Sequence, residues 1–460
     1  MSTAQPPSRP ADAGDGAAAG VGAAAGAGAI TAPRRALFNM AAKGASMAIE
    51  RGAQLALVLV AGPLLGPAAY GRFSFAASLA VLLAFGTDLG LTIWTTRALA
   101  RDPGAGPGVL GTGLRLRLAA TAVVALALLG VALATPQPDV RWAVLALGGA
   151  SLARAFLDHA RAVFRAHERL DDEGKVNVVI AFGSTIGGLG ALALSGPGVP
   201  ALATGVLLGT LAGAFYGFLV LDRGYAHHGP WAGPGDRALA RRMLRESLPF
   251  WLAGVFSLLY ARGDVVLLKL LSTDAEVGAY RTAGQLVEVV RQAPVLLLTA
   301  LFPQLARAFA APGERLVRLE RQVTLLLVGG GLAAAALVAA ISGPLIRHLY
   351  GPAFARTIPA LRVLALSVPL VFMNAGLLHF FVARDRGTLN VLLAGAMVLV
   401  NLGANLLLAR PLGAVGSALA TLVTEAALGA SCLYALRVLR REARPSVAAV
   451  TPASAVEAGG

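Results

Sequence analysis

The chain has 460 residues, 57% of them apolar and only 14% charged, with a mean hydropathy of +0.70. A water-soluble domain is about 25% charged, so a folded surface of this size cannot be kept in water, and the composition places the chain in a membrane. The single cysteine, Cys432, excludes an internal disulfide framework and any cysteine-based zinc or iron–sulfur centre, while the excess of 39 Lys and Arg over 24 Asp and Glu is, in a membrane chain, a topology signal before it is a sign of nucleic-acid binding.

Residues 1–33 are Ala, Gly and Pro with a few charges, too poor in large side chains to build a core, and are expected to form a disordered cytoplasmic tail. Arg34 and Arg35 then lead directly into a long apolar helix, without the short Leu-rich run and cleavage site of a secretory signal, so this helix is a retained first span. Spans of roughly 20 apolar residues are predicted at 37–65, 72–97, 114–134, 141–165, 175–195, 201–221, 246–271, 277–306, 322–343, 357–383, 388–408 and 412–436. The uncharged run 176–221 is a hairpin of two, because Ser195-Gly196-Pro197-Gly198 in its middle is turn chemistry. The fold class is therefore all-α, a polytopic membrane protein of about twelve transmembrane helices. The division is an N-terminal six-helix lobe at 34–222, a basic cytoplasmic linker at 223–245, a C-terminal six-helix lobe at 246–440 and a disordered tail at 441–460.

Basic residues crowd alternate connections: Arg97, Arg101, Arg115 and Arg117, then Arg161, Arg165, Arg169 and Lys175, then Arg223 to Arg245, Arg307 to Arg321, Arg384 and Arg386, and Arg437 to Arg444. Cationic loops stay cytoplasmic, so both termini are expected inside and the protein in the cell inner membrane. The two halves also repeat. Gly71, Phe73, Ala76 and Leu79 recur as Gly278, Tyr280, Ala283 and Leu286 at a constant offset of 207. Six spans per half is an even number, so the halves share one orientation and are related by a pseudo-two-fold axis along the membrane normal, with a cavity between them.

Leu65-Gly66-Pro67-Ala68-Ala69-Tyr70-Gly71-Arg72-Phe73, Thr87-Asp88-Leu89-Gly90-Leu91 and Thr96-Arg97 resemble the first two spans of Wzx-type polysaccharide flippases, of the multidrug, oligosaccharidyl-lipid and polysaccharide exporter superfamily. Further matches are Pro249, Leu259-Tyr260, Asp264, Val277 to Tyr280, Pro303, Leu349 to Phe354 and Gly413 to Ala418, so the resemblance covers about 35–440. It implies two lobes opening alternately to either side of the membrane. The implied substrate is an undecaprenyl-diphosphate-linked glycan moved from the inner to the outer leaflet, with a polysaccharide polymerase or other assembly proteins as partners. No cofactor, no catalytic residue and no nucleic-acid partner is implied.

Charges at bilayer depth are costly and face a cavity or one another. Span 1 carries Lys43, Glu50 and Arg51, span 7 carries Arg262, Asp264 and Lys269, and span 8 carries Arg281, Gln285, Glu288, Arg291 and Gln292. Positions 281, 285, 288 and 292 share one helix face. The expected substrate-binding set is Lys43, Arg51, Arg262, Arg281, Gln285 and Arg291, with Arg51 and Arg291 facing each other across the lobe interface to hold the diphosphate. Glu50, Asp88, Asp264, Glu288 and Glu425 are expected to be coupling or ion-pair groups, with the solitary Asp88 and Glu425 either neutral or paired with Arg51 or Arg291. Arg154, Asp158 and Arg161 on span 4 form an internal salt bridge with a basic end. Intramembrane cations and acids nearly balance, which favours a diphosphate carrier less than a frankly cationic cavity would. His379, and His227-His228 without further ligands, predict no metal site.

Two other functions fit the fold class. A cation-coupled exporter of drug-like molecules would want aromatic walls for cationic amphiphiles, and only 6% of residues are aromatic. A membrane polymerase or glycosyltransferase would need positioned carboxylates in a sizeable loop, and the longest outer connection, 343–355, has no Asp or Glu.

Overall fold

Glycine and proline decide where this chain stops being one long rod. The computed structural model describes residues 16–225, 235–310, 314–384 and 386–442. Its helices run in chain order as α1 (Gly16–Ala84), α2 (Leu91–Arg101), α3 (Gly106–Ala134), α4 (Pro138–Ala166), α5 (Leu170–Ser195), α6 (Val199–Tyr225), α7 (Arg237–Leu271), α8 (Asp274–Val290), α9 (Ala293–Ala310), α10 (Glu314–Leu349), α11 (Thr357–Ala383) and α12 (Gly387–Glu442). Among the described residues there is no strand. Among the described residues nine helical stretches are long and apolar enough to cross a membrane, and two of them, Gly44–Thr87 with 44 residues and Thr388–Leu439 with 52, are too long for one crossing. At about 1.5 Å per residue each is at least twice the roughly 30 Å hydrocarbon core. Both break at a glycine in a positive-φ conformation, Gly66 at φ 75° and Gly413 at φ 56°, so the nine stretches make eleven crossings. The helices α8 and α9, interrupted at Arg291–Gln292, make the twelfth.

Local chemistry places the remaining boundaries. Thr273 caps α8, its hydroxyl accepting from Glu276 N at 3.4 Å, and Asp236 caps α7 by accepting from Ala238 N at 2.7 Å. Proline opens α3 and α4 within their first two positions, where a missing N–H costs nothing. Helix α1 already begins at Gly16, inside the stretch expected to be a tail, which agrees with the helix preference of its alanines. Residues 1–15 and 443–460, and the pair His227-His228, lie outside the described residues. Helix α7 starts at Arg237, so the expected linker 223–245 contributes its last nine residues to a helix.

Two lobes follow from the packing. One apolar core gathers Val265, Leu268, Ile346, Leu364 and Phe381 from the C-terminal half, and separate clusters gather Val140, Val144 and Val199, and Leu157, Phe164 and Ile180, from the N-terminal half. In lipid there is no hydrophobic drive between helices, so close packing comes from small residues. On α5 and α6 a Cβ placed on Gly205 would lie 2.1 Å from Gly187 O, and one on Gly209 would lie 1.8 Å from Gly183 O. The lobes meet on the same principle. A Cβ on Gly71 would lie 1.9 Å from Asp274 O, and one on Gly278 would lie 2.0 Å from Pro67 O, so the two repeat-related glycines are where α1 and α8 cross.

Candidate functional site

The second half of α1, with α4 and α6, faces α7 and α8 across a cavity of about 260 Å³. Three guanidinium-bearing residues line it, Arg154 from α4, Arg262 from α7 and Arg281 from α8, and among the described residues no carboxylate does. None of the three forms an ion pair among the described residues. Arg281 Nη2 donates to Gln285 Oε1 at 2.9 Å, so its own helix aims it at the cavity that both residues line. Arg154 Nη2 makes a long contact of 3.4 Å to Ser184 Oγ and stands within electrostatic range of Glu50. Arg262 stands within electrostatic range of Arg281 and Arg51, and of the carboxylates Asp264 and Glu288. Like charges gathered where the dielectric is low repel far more strongly than in water, and an anion between them relieves that repulsion.

The acids make their hydrogen bonds elsewhere. Glu425 on α12 takes Arg291 Nη2 at 2.6 Å, Tyr260 OH at 2.5 Å and Asn374 Nδ2 at 2.8 Å. Asp264 accepts from Tyr280 OH and, at 2.8 Å, from Val265 N. Glu288 accepts from Gln292 Nε2 at 2.9 Å. Asp264, Glu288 and Arg291 line a second, smaller cavity of about 60 Å³ inside the C-terminal lobe, and Arg281 lines both cavities. Glu50 accepts from Gln54 Nε2 at 3.3 Å. Asp88 sits at the N-terminus of α2, where it accepts from Gly90 N at 3.1 Å, Thr92 N at 3.2 Å and the Thr92 hydroxyl, and pairs with Arg117 Nη2 at 2.8 Å. Helix N-termini favour negative charge, which suits a carboxylate there.

Of the expected binding set, Arg262, Arg281 and Gln285 come together at the central cavity. The facing pair Arg51 and Arg291 does not form. Glu425 turns Arg291 into the C-terminal lobe, and Arg51 is exposed rather than lining the cavity. The Lys43 side chain lies outside the described residues. Glu425 does pair with Arg291, but Asp88 pairs with Arg117, a residue expected in a loop and only 2% exposed. The stripe on α8 divides, with Arg281 and Gln285 on the central cavity and Glu288 on the smaller one. On α4, Asp158 pairs with Arg161 at 2.5 Å and leaves Arg154 to the cavity. Sequence reasoning missed Arg154 as a site residue; the available signal was two arginines flanking one carboxylate, a surplus of one charge at bilayer depth. It also missed Ser74, Ser78, Ser151 and Thr210 on the cavity wall, since hydroxyls in apolar helices carry no periodic signal.

Among the described residues, twelve crossings in two repeated lobes enclose a charged cavity, the architecture of a membrane transporter. The profile of the polysaccharide biosynthesis protein family matches residues 38–309, more than half of the sequence, and the chain belongs to that family. No curated protein sequence matches the chain. Among solved structures it is similar to the lipid II flippase MurJ in an inward closed conformation, with 13% identity, 87% of each chain covered and a TM-score of 0.68. A multidrug resistance MATE family transporter of the MOP superfamily, in an inward-facing conformation, aligns at 15% identity over 87% of this chain and all of that one, with a TM-score of 0.69. A MOP superfamily transporter from Pyrococcus furiosus aligns at 17% identity over 87% of this chain and 94% of that one, with a TM-score of 0.57. At these identities the likeness is one of fold.

Proposed function

We infer that the protein carries an undecaprenyl-diphosphate-linked oligosaccharide from the inner to the outer leaflet of the cytoplasmic membrane, for cell-surface polysaccharide assembly, by moving its lobes rather than by covalent chemistry. The observation that carries this reading is the segregation of charge: the near-balance of the whole set resolves into a central cavity lined by Arg154, Arg262 and Arg281 and no carboxylate among the described residues. A diphosphate crossing a low-dielectric slab must have its hydration replaced, and guanidinium forks do so with paired, charge-assisted hydrogen bonds. Membership of the polysaccharide biosynthesis family supports the glycan, and the lipid II carried by the MurJ relative supports a lipid-linked form of it.

The drug-exporter alternative draws on the acids beside the smaller cavity. At about 60 Å³ that space is less than a quarter of the central cavity's 260 Å³. Because Glu425 and Asp264 already have partners, we assign the acids to coupling or ion pairing. The test is binding of sugar-free undecaprenyl diphosphate to purified protein in nanodiscs. Arg262→Ala and Arg281→Ala are each expected to weaken it at least tenfold, and Arg281→Lys less, since charge survives and the fork does not. Folded alanine variants that bind like the parent overturn the assignment.

A further inference from the structure

The central cavity has two unlike walls. Arg262, Arg281 and Gln285 line it from the C-terminal lobe, whereas the N-terminal lobe, apart from Arg154 and Gln54, brings Ser74, Ser78, Ser151 and Thr210, the Ser74 hydroxyl being bonded to Tyr70. Beside them Tyr70 and Phe73 are stacked, with ring centroids 6.5 Å apart and planes 25° apart. In an apolar helix a Thr hydroxyl ordinarily returns to a carbonyl one turn back. Thr421 does so to Ser417 O at 3.1 Å and Thr424 to Ala420 O at 2.7 Å. Thr210 does not. It is fully buried, and its Oγ1 has no partner among the described residues. An unmet buried hydroxyl is a cost to the fold, and this one belongs to a residue of the cavity wall.

Hydroxyls beside aromatic rings, with no carboxylate among them, match the chemistry of an uncharged sugar: its hydroxyls exchange hydrogen bonds with Ser and Thr, and its C–H face packs on a ring. We propose that this wall is a saccharide subsite, in which Ser74, Ser78, Ser151 and Thr210 hydrogen-bond the uncharged hexose or N-acetylhexosamine joined to the diphosphate, with Tyr70 and Phe73 beneath it. The proposal rests on the diphosphate reading above, because Arg262 and Arg281 on the opposite wall fix which end of the headgroup lies where. A cavity of about 260 Å³ admits the first part of the headgroup and not a whole repeat unit.

The experiment measures Kd in nanodiscs for sugar-free undecaprenyl diphosphate and for the same lipid carrying N-acetylglucosamine or galactose. The parent is expected to bind at least one sugar-bearing lipid tenfold or more tightly than the bare diphosphate. Thr210→Val, which keeps the shape and removes the hydroxyl, combined with Ser78→Ala, should erase that margin while leaving the Kd for the bare lipid unchanged. Equal affinities of the parent for all three lipids, or a variant that weakens all three alike, overturns the subsite. A bare lipid that binds in an Arg281-dependent way without any sugar margin removes the subsite alone. A parent that binds no diphosphate lipid removes the transport reading, and the subsite with it. Unchanged melting temperatures establish that the variants are folded.

Discussion

Arg117 is 2% exposed, and its burial is possible because its donors are met: Nη2 by Asp88 at 2.8 Å and Thr92 Oγ1 at 2.6 Å, Nη1 by Ala155 O at 3.3 Å. Removing one member of such a pair strands the other in low dielectric. Arg117→Met is therefore expected to destabilise the protein by about 3–5 kcal/mol, and the double change Arg117→Met with Asp88→Asn by clearly less, both measured as unfolding in detergent. Equal losses for the single and double variants would mean that the ion pair is not what Arg117 supplies. At this scale the sequence discloses which positions bear charge at depth and hides their partners. Arg117 falls in a basic cluster that looks like a loop, and Asp88 looks solitary, because pairing between helices depends on how each is rotated about its axis. Within one helix the limit is the rotamer: Asp158 has arginines four residues before and three after, and spacing alone does not choose Arg161.

Helix interruptions follow the repeat. The span expected at 277–306 breaks at Arg291–Gln292, and position 292 less the repeat offset of 207 is 85, where the 3-10 turn Phe85–Thr87 interrupts the second span. In the first lobe the break carries Leu89 at φ 48° and Gly90 at φ 73°, braced by Asp88; in the second, Pro294 sits in the first turn of α9. Gly90 and Pro294 were visible signals, but each is weak inside a long apolar run, and only the superposed halves make them coincide. The offset does expose the crossing of α1 with α8. Gly71→Leu and Gly278→Leu each drive a side chain into the backbone of the opposite lobe, and each is expected to cut surface polysaccharide at least tenfold at equal protein level. Gly130→Ala, with open space around its Cβ position, should be neutral or stabilising by up to about 1 kcal/mol. Normal export by both leucine variants would show that this crossing is not needed for the transport cycle.

The lobes touch at two levels with the cavity between them. On the side of the α7–α8 turn, Arg72 forms an ion pair with Asp139 at 2.8 Å and reaches Asp274 at 3.8 Å, joining the lobes beside the glycine crossing. On the other side Ser247 Oγ donates to Leu89 O at 2.7 Å, Trp251 Nε1 to Phe85 O at 3.4 Å, and Trp94 Nε1 to Glu246 Oε2 at 2.8 Å. The count of spans and the two-lobe plan were legible because uncharged runs of membrane length and the internal offset are one-dimensional signals. The faces that meet were not, since an interface built from Gly, Ser and carbonyl oxygens looks like any small-residue helix. Which level faces the cytoplasm follows, on the proposed orientation, from the basic connections: the Ser247 level is inside and the Arg72 level outside. Cys432 is fully buried, so a Cys432→Ser background is clean for thiol labelling. A cysteine at Ser272 or Gly198 should react with a membrane-impermeant maleimide in intact cells, and one at Ala238 only after the membrane is opened. The reverse pattern would place the Ser247 level outside and turn the direction of transport around, whatever the cavity binds.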